Sequence, residues 1–408
     1  MTSDAEFTEL TRVLEDHGPA AALQFLVERL RQGKRYDDLF DVRLMQCRLA
    51  RGLPWLDRPD LDDLPAPLQG QLEADYVAVC REVGQLLLDE GEYRRAWVYL
   101  RAAGAEEMIR EALRRAEPGA EDLDQLVELC VYEGIDPGLG FPWLLEHQGT
   151  CNAITAYESV RHTLDRQQQE EVTGILVGWL HAELLGNLRA DLEEAAEGAE
   201  GGSPLRAWLA GGGPRLDEFT THIDVSHLAA VLRFARQVTD REALQRAWEL
   251  AEYGRRLHDG LQPAADPPFS DYFPAHALFF AAQLGHHPQE AVDYFGAQAT
   301  AADLQVDSVV VIEVYIVLLA RLGRLDEALK ARAELIPPDV STTGFAPGLL
   351  ELSRLAGRFE LVIEMCRQRG DLLGYALGRL HADAARGAGR ALSKKPRNGQ
   401  ASSGSSID

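Results

Sequence analysis

The chain carries little positive charge for its length, and this scarcity excludes some classes of partner. Lysine and arginine number 41 against 65 aspartate and glutamate residues, so the formal net charge is -24 over 408 residues. A surface this negative repels nucleic-acid phosphates and anionic membrane surfaces, whereas it attracts basic peptides. We therefore expect a protein or peptide partner and no nucleic acid.

Cysteine is also scarce. The chain has five cysteines, an odd number, and none belongs to a CxxC pair. This pattern is typical of scattered thiols in a reducing compartment and does not match a disulfide framework or a zinc cage. The opening sequence "MTSDAEFTEL" has neither a basic start nor an apolar core, so it does not resemble a secretion signal. These observations predict a cytoplasmic protein.

Long apolar runs and the sequence signatures of common enzymes are missing. The longest apolar run, "SVVVIEVYIVLLA", contains Glu313 and is shorter than the roughly 20 residues of a membrane span, so we expect a buried helix there and no membrane span. The chain has no GxxxxGK[ST], GxGxxG, HExxH or GxSxG motif and no EF-hand loop. No cofactor is therefore indicated, and the sequence favours a non-enzymatic protein.

Helical periodicity is what the sequence does contain. Phe7, Leu10 and Leu14 recur at three- and four-residue intervals until Gly18-Pro19 ends the pattern. Similar patterns predict further helices over residues 70–90, 92–103, 105–115 and 121–132. Alternating β-branched stretches bounded by hairpin turns are not found. The predicted fold class is all-α.

Composition divides the chain into regions. The stretch "DLEEAAEGAEGGS" has five acidic residues and no basic one, and "AGGGP" follows it, which favours a solvated linker. The final residues are poor in large apolar side chains and favour disorder. We predict an N-terminal helical-hairpin array over 1–190, an acidic and glycine-rich linker over 191–214, a C-terminal array over 215–390 and a disordered tail over 391–408.

One local pattern recurs along the chain. "GEYRRAW" begins at Gly91, "GRLDEAL" at Gly323 and "GRFELVI" at Gly357, and a longer variant begins at Gly285. Each follows an apolar helix and opens another, because glycine permits a tight turn and a following small residue allows close helix approach. Such a hairpin cannot cover its own apolar face, so we expect hairpins to stack on their neighbours.

These residues resemble the tetratricopeptide repeat. Gly323-Arg324-Leu325 with Ala328, followed by Pro337-Pro338, carries the resemblance, and Gly91-Glu92-Tyr93 with Ala96 is its closest local match. About half of the chain is covered, namely residues 270–380, 70–115 and 1–50. The resemblance implies an α-solenoid of stacked antiparallel hairpins, in one or two halves. It also implies a groove lined mainly by the first helices of the hairpins, which holds a peptide or protein segment.

The stretch "THIDVSHL" holds the first candidate site. Asp224 directly precedes an apolar-periodic run, which is the place of a helix N-cap, and His227 then falls in the first helical turn. His222 lies just outside the helix, so the three side chains can converge on one point. The HxDxxH spacing is not a standard metal signature, and a metal needs further ligands. We favour a helix start and keep a metal site as the alternative.

The stretch "LEHQGTCNAITAYE" holds a second candidate. His147, Cys151 and Asn152 are the residue types of thiol hydrolases, but Gly149 should interrupt the helix between them, and Cys–His pairs are usually distant in sequence. We treat these three residues, together with Tyr157, as a candidate binding surface.

The stretch "PPFSDYFPAHALFFAAQLG" holds a third candidate. Tyr272 and His276 are four residues apart and share one helical face, which makes them candidate binding residues. The neighbouring phenylalanines are interpreted as packing between helices, and His286-His287 as a turn.

The leading hypothesis is a non-enzymatic scaffold or adaptor that binds a partner segment in a solenoid groove. The alternative is a helical hydrolase, metal-dependent or based on histidine and aspartate, with its site around His222, Asp224 and His227.

Overall fold

The computed structural model describes residues 4–54, 64–117, 119, 122–188, 205, 208–209, 216, 221–337 and 339–393, the last nine of these by backbone alone. Helices dominate this part of the chain, and it contains no strand, only an isolated bridge between Asp266 and Phe269. The predicted all-α class is confirmed. No helix in these ranges is long and apolar enough to cross a membrane.

The chain divides into two compact units, Met1–Ile175 and Leu176–Asp408, here called unit 1 and unit 2. Most of the predicted linker over 191–214 lies outside the described residues, although Leu205, Trp208 and Leu209 within it are buried. In the predicted disordered tail, residues 391–393 are helical, and residues 394–408 lie outside the described part.

Unit 1 is a row of helices, most of which pack on the next helix along the chain. They are α1 (Asp4–Gln32), α2 (Tyr36–Ala50), α3 (Ala66–Asp89), α4 (Tyr93–Ala102), α5 (Glu106–Arg115), α6 (Leu123–Val127) with a π-helical turn (Glu128–Tyr132), and α7 (Pro137–Val160). The division between the units falls in α8 (Arg166–Asn187). The four helices predicted between residues 70 and 132 are all present, with ends shifted by a few residues.

Two long helices of unit 1 are broken at glycine. Gly18 in α1 has φ 81° and ψ -178°, and Gly149 in α7 has φ 81° and ψ 173°. This backbone region is essentially restricted to glycine. The interruptions predicted at Gly18-Pro19 and at Gly149 are therefore present as kinks between two helical segments.

Unit 2 is built from helical hairpins that follow one another. Its helices are α9 (Val225–Ala235), α10 (Arg241–Gly254), α11 (Tyr272–Gln283), α12 (Pro288–Ala301), α13 (Val310–Arg321), α14 (Leu325–Leu335), α15 (Leu349–Ala356), α16 (Phe359–Arg369) and α17 (Leu372–Ser393). Each packs against the next. We call α9, α11, α13 and α15 the first helices, and α10, α12, α14 and α16 the second helices.

The recurring glycine pattern marks the turns inside these hairpins. Gly285, Gly323 and Gly357 have φ values of 94°, 73° and 66°, which a side chain tolerates poorly. Ala328, five residues after Gly323, is fully buried in the following helix. The apolar run around Glu313 forms the buried helix α13, as predicted.

Candidate functional site

Asp224 is the N-cap of α9. One of its carboxylate oxygens accepts the backbone N–H of Ser226 at 2.7 Å, the backbone N–H of His227 at 3.3 Å and the Ser226 hydroxyl at 2.5 Å. These hydrogen bonds lower the pKa of Asp224, and the bond from the Ser226 hydroxyl makes the largest contribution. The predicted helix start is confirmed.

His222 is held by Tyr253 of α10. Its backbone N–H donates to the Tyr253 hydroxyl oxygen at 2.9 Å, and that hydroxyl lies 3.2 Å from Nδ1 of the imidazole. Asn187 donates to the backbone carbonyl of His222 at 2.6 Å. In the part of the chain that the structure describes, no three His, Cys, Asp or Glu side chains are grouped to hold a metal ion, and His222, Asp224 and His227 form no such group.

The candidate residues between positions 147 and 157 do not share one surface. His147, Cys151 and Asn152 are exposed, and the Asn152 amide donates to the Gln148 carbonyl across the kink at 2.9 Å. Tyr157 instead is fully buried, and its hydroxyl accepts from Thr173 at 3.1 Å. Tyr157 therefore belongs to the core of unit 1, whereas the other three remain available at the surface.

Tyr272 and His276 are also interior residues. The Tyr272 hydroxyl donates to the Ala229 carbonyl at 2.5 Å. His276 is fully buried, and its Nδ1 donates to the Tyr272 carbonyl at 2.7 Å, whereas its Nε2 accepts from Nε of Arg236 at 3.0 Å. Because Nε2 must accept, the imidazole is neutral. Burial and the Arg236 charge hold the pKa of His276 well below its ordinary value.

Arg236 is the centre of this buried cluster. Its guanidinium binds the Asp266 carboxylate at 2.6 Å and lies 3.9 Å from the centre of the Phe269 ring. Phe269 in turn stacks on His276 at 4.1 Å. The cluster joins the end of α9 to the loop before α11, so it fixes the connection between two hairpins. Sequence reasoning missed Arg236 because a single arginine after a helix carries no pattern.

The surface of unit 2 has clefts between successive second helices. The first cleft lies between α10 and α12 over α11 and has a volume of about 610 Å³. The second lies between α12 and α14 beside α13, with about 590 Å³, and the third between α14 and α16, with about 510 Å³. The tetratricopeptide resemblance implied a groove lined by first helices, whereas these clefts are flanked by second helices.

The first cleft combines an apolar floor with aromatic walls. Ala277, Leu278 and Ala281 of α11 form the floor, whereas Trp248 of α10 and Tyr294 of α12 stand at the two sides. Alanine on the floor keeps the space between the helices open, because a larger side chain would fill it. The arrangement suits an inserted side chain with a long apolar stem or a flat ring.

The rim of the first cleft is acidic. Glu252, Asp271 and Glu290 line it. Its single guanidinium, that of Arg255, is bound to Glu252 at 2.8 Å, and Nδ1 of His287 lies 3.6 Å from the Glu290 carboxylate. The second cleft also has two carboxylates and one guanidinium, paired as Arg324 and Glu327. The third cleft differs, since it has three basic side chains and two acidic ones. Negative charge is thus concentrated at the first cleft.

Trp248, Tyr294 and the acidic rim were not among the residues singled out from the sequence. Trp248 and Glu252 lie on α10, Tyr294 and Glu290 lie on α12, and Asp271 directly precedes α11. Only the packing of consecutive hairpins brings them together.

Comparison with known proteins gives no match: no family model, no curated protein and no solved structure corresponds to this chain. The fold itself defines the class, which is an all-α protein of helices packed in chain order, with clefts between the second helices of unit 2.

Proposed function

We propose that the protein is a cytoplasmic, tetratricopeptide-like scaffold or adaptor, without enzymatic activity, that binds a segment of a partner protein at the second-helix clefts of unit 2. The observation that supports this proposal is the first cleft, where Trp248 and Tyr294 flank an apolar floor under a rim of carboxylates. Protein interfaces gain most of their binding energy from a few such anchor sites, in which aromatic residues are enriched.

The chemistry of the first cleft favours a basic anchor residue on the partner. An arginine or lysine side chain can lay its apolar stem on the floor, place its charge against an aromatic ring and reach the carboxylates of Asp271 and Glu290. The overall charge of -24 adds long-range attraction for a basic segment. The third cleft, with its excess of basic side chains, does not offer this combination.

The hydrolase alternative receives no support from the candidate residues around α9. The Asp224 carboxylate accepts three hydrogen bonds at the start of the helix, and His222 faces a tyrosine hydroxyl. Neither arrangement resembles a general base poised next to a nucleophile or a metal. A structural role accounts for both residues.

A peptide array tests the proposal directly. The labelled full-length protein is applied to pools of peptides that have arginine, lysine, glutamate or leucine at a fixed central position and random flanking residues. We expect retention on the arginine and lysine pools. In the Trp248→Ala, Tyr294→Ala double variant, we expect this retention to fall about tenfold or more, because truncating an anchor residue typically costs about 2 kcal/mol.

Tyr132→Ala serves as the matched control, because it removes an exposed aromatic side chain from unit 1. Its retention should equal that of the unmodified protein. Equal retention of all four pools by the unmodified protein, or unchanged retention by the double variant, would show that the first cleft is not the docking site.

A further inference from the structure

The last helix of unit 2, α17, shows an apolar stripe to solvent. Leu373, Leu377 and Leu380 are 72%, 37% and 66% exposed, and their spacing of four and three residues places them on one side of the helix. The opposite side holds Gly378 and Ala382 and packs against α16. Helices of a soluble unit normally carry polar residues on the solvent side, so this stripe requires an explanation.

Basic residues accompany the stripe. Arg379, Arg386 and Arg390 recur at seven and four residues along α17, and this spacing places the three positions in one line along the helix, about 120° around its axis from the leucines. Lys394, Lys395 and Arg397 follow in the sequence, and between residues 379 and 397 the only acidic residue is an aspartate at position 383. The segment that contains the exposed leucines therefore has an excess of basic residues, although the net charge of the whole chain is -24.

We propose that α17 is an interfacial helix through which the protein docks on an anionic lipid surface. The leucine stripe would enter the boundary between headgroups and acyl chains, and the arginines would contact lipid phosphates. Interfacial helices combine these two features, an apolar face and a polar face rich in arginine and lysine. Basic side chains near an anionic bilayer each add attraction for the surface.

Charge distinguishes this partner from a second copy of the chain. Two copies that met through α17 would place two basic segments of like charge near each other, and each copy would carry a net charge of -24. An anionic bilayer has charge opposite to that of the helix. The acidic remainder of the protein opposes docking only weakly, because the Debye length is about 8 Å at physiological ionic strength and distant carboxylates are screened.

Vesicle co-sedimentation with the full-length protein tests the proposal. The probes are vesicles of phosphatidylcholine alone and of phosphatidylcholine mixed with phosphatidylglycerol. We expect the protein to pellet with the mixed vesicles and not with the neutral ones, and added salt should release it. The Leu373→Gln, Leu377→Gln, Leu380→Gln triple variant should lose about tenfold or more of this partitioning, since less apolar surface can be inserted.

The matched control exchanges three exposed apolar residues elsewhere, Leu14→Gln, Val98→Gln and Val306→Gln. It should pellet like the unmodified protein, and circular dichroism should show that both triple variants remain helical. Two results would overturn the proposal: no pelleting with phosphatidylglycerol vesicles at low salt, or equal pelleting of both triple variants. A loss of dimer in light scattering for the leucine variant, without vesicle binding by the unmodified protein, would assign the stripe to self-association instead.

Discussion

At the level of single residues, polar side chains in unit 2 hold helix ends and loops together. Asp224 closes the first turn of α9, and Arg236 connects Asp266 to His276. Each of these contacts gives a partner to a group that would otherwise be open at a helix end or buried without a hydrogen bond. Their substitution is therefore a test of stability.

The N-cap at Asp224 leads to a first prediction. Asp224→Ala should lower the free energy of unfolding by about 0.5–2 kcal/mol, because two backbone N–H groups lose their acceptor. Asp224→Asn should retain most of the stability, since asparagine is an equally good cap. Urea unfolding of the two variants measures both effects. A loss for asparagine as large as that for alanine would mean that charge, and not capping, is what Asp224 contributes.

The buried imidazole of His276 leads to a prediction about pH. Its pKa lies well below the ordinary value of 6.5 in the folded protein, because burial and then Arg236 disfavour the charged form. The unfolded chain therefore binds a proton that the folded chain does not, and the stability from neutral His276 is complete above pH 6.5 and declines as the pH falls below it. Stability should drop between pH 7 and the depressed pKa.

Urea midpoints measured across this pH range provide the measurement. The His276→Gln variant should be less stable at pH 7. Its free energy of unfolding should also fall less steeply as the pH is lowered, because the glutamine side chain does not titrate, and the difference in slope should correspond to at most one bound proton. His17→Gln, which changes an exposed histidine, is the control and should keep the original slope. An identical decline in His276→Gln would mean that other groups cause the pH dependence.

At the level of helices, small residues set how closely neighbours approach. Gly84 of α3 lies against Leu100 of α4, and a Cβ atom at Gly84 would lie 2.6 Å from the Leu100 side chain. Gly70 belongs to the same helix but has no atom within 4 Å of the corresponding position. Both glycines are therefore helical residues, but only Gly84 lies against a neighbouring helix, whereas the space beside Gly70 is open.

This pair gives a matched prediction for helix packing. Gly84→Ala should destabilise the protein by about 1–3 kcal/mol, because α3 and α4 must move apart or Leu100 must leave its rotamer. Gly70→Ala should stabilise it by about 0.5–1 kcal/mol, since alanine restricts the unfolded chain and favours a helix. Thermal unfolding of the two variants should therefore shift in opposite directions. Shifts of the same sign would contradict the close approach of α3 and α4.

Helices were the most predictable elements of this chain. Periodic leucines located α3 to α6 within a few residues, and glycine located the kinks at Gly18 and Gly149. Local sequence determines these features because helix propensity, capping and glycine's conformational range act over a few residues. The direction in which a side chain points was less predictable. Tyr272 and His276 were candidate binding residues, but α11 is buried on most sides.

At the level of the whole molecule, average charge conceals two local environments of opposite sign. The total of -24 suggested repulsion from every anionic surface. The first cleft matches that average, because carboxylates predominate on its rim. The segment that begins in α17 departs from it, because arginines and exposed leucines recur along the same helix. The proposed peptide and lipid partners follow from the local distribution of charged residues at these two places. Salt screens electrostatic interactions over longer distances, so each partner is affected mainly by the charges near it.

The sequence by itself determined the class of fold, the positions of most helices, the cap at Asp224 and the glycine turns of the hairpins. These features depend on residues close together in the chain. Tertiary packing alone decided that Tyr157, Tyr272 and His276 are interior, that Arg236 connects two hairpins, and that Trp248 and Tyr294 face one cleft. Those outcomes depend on which helix lies next to which, and no local pattern of residues carries that information.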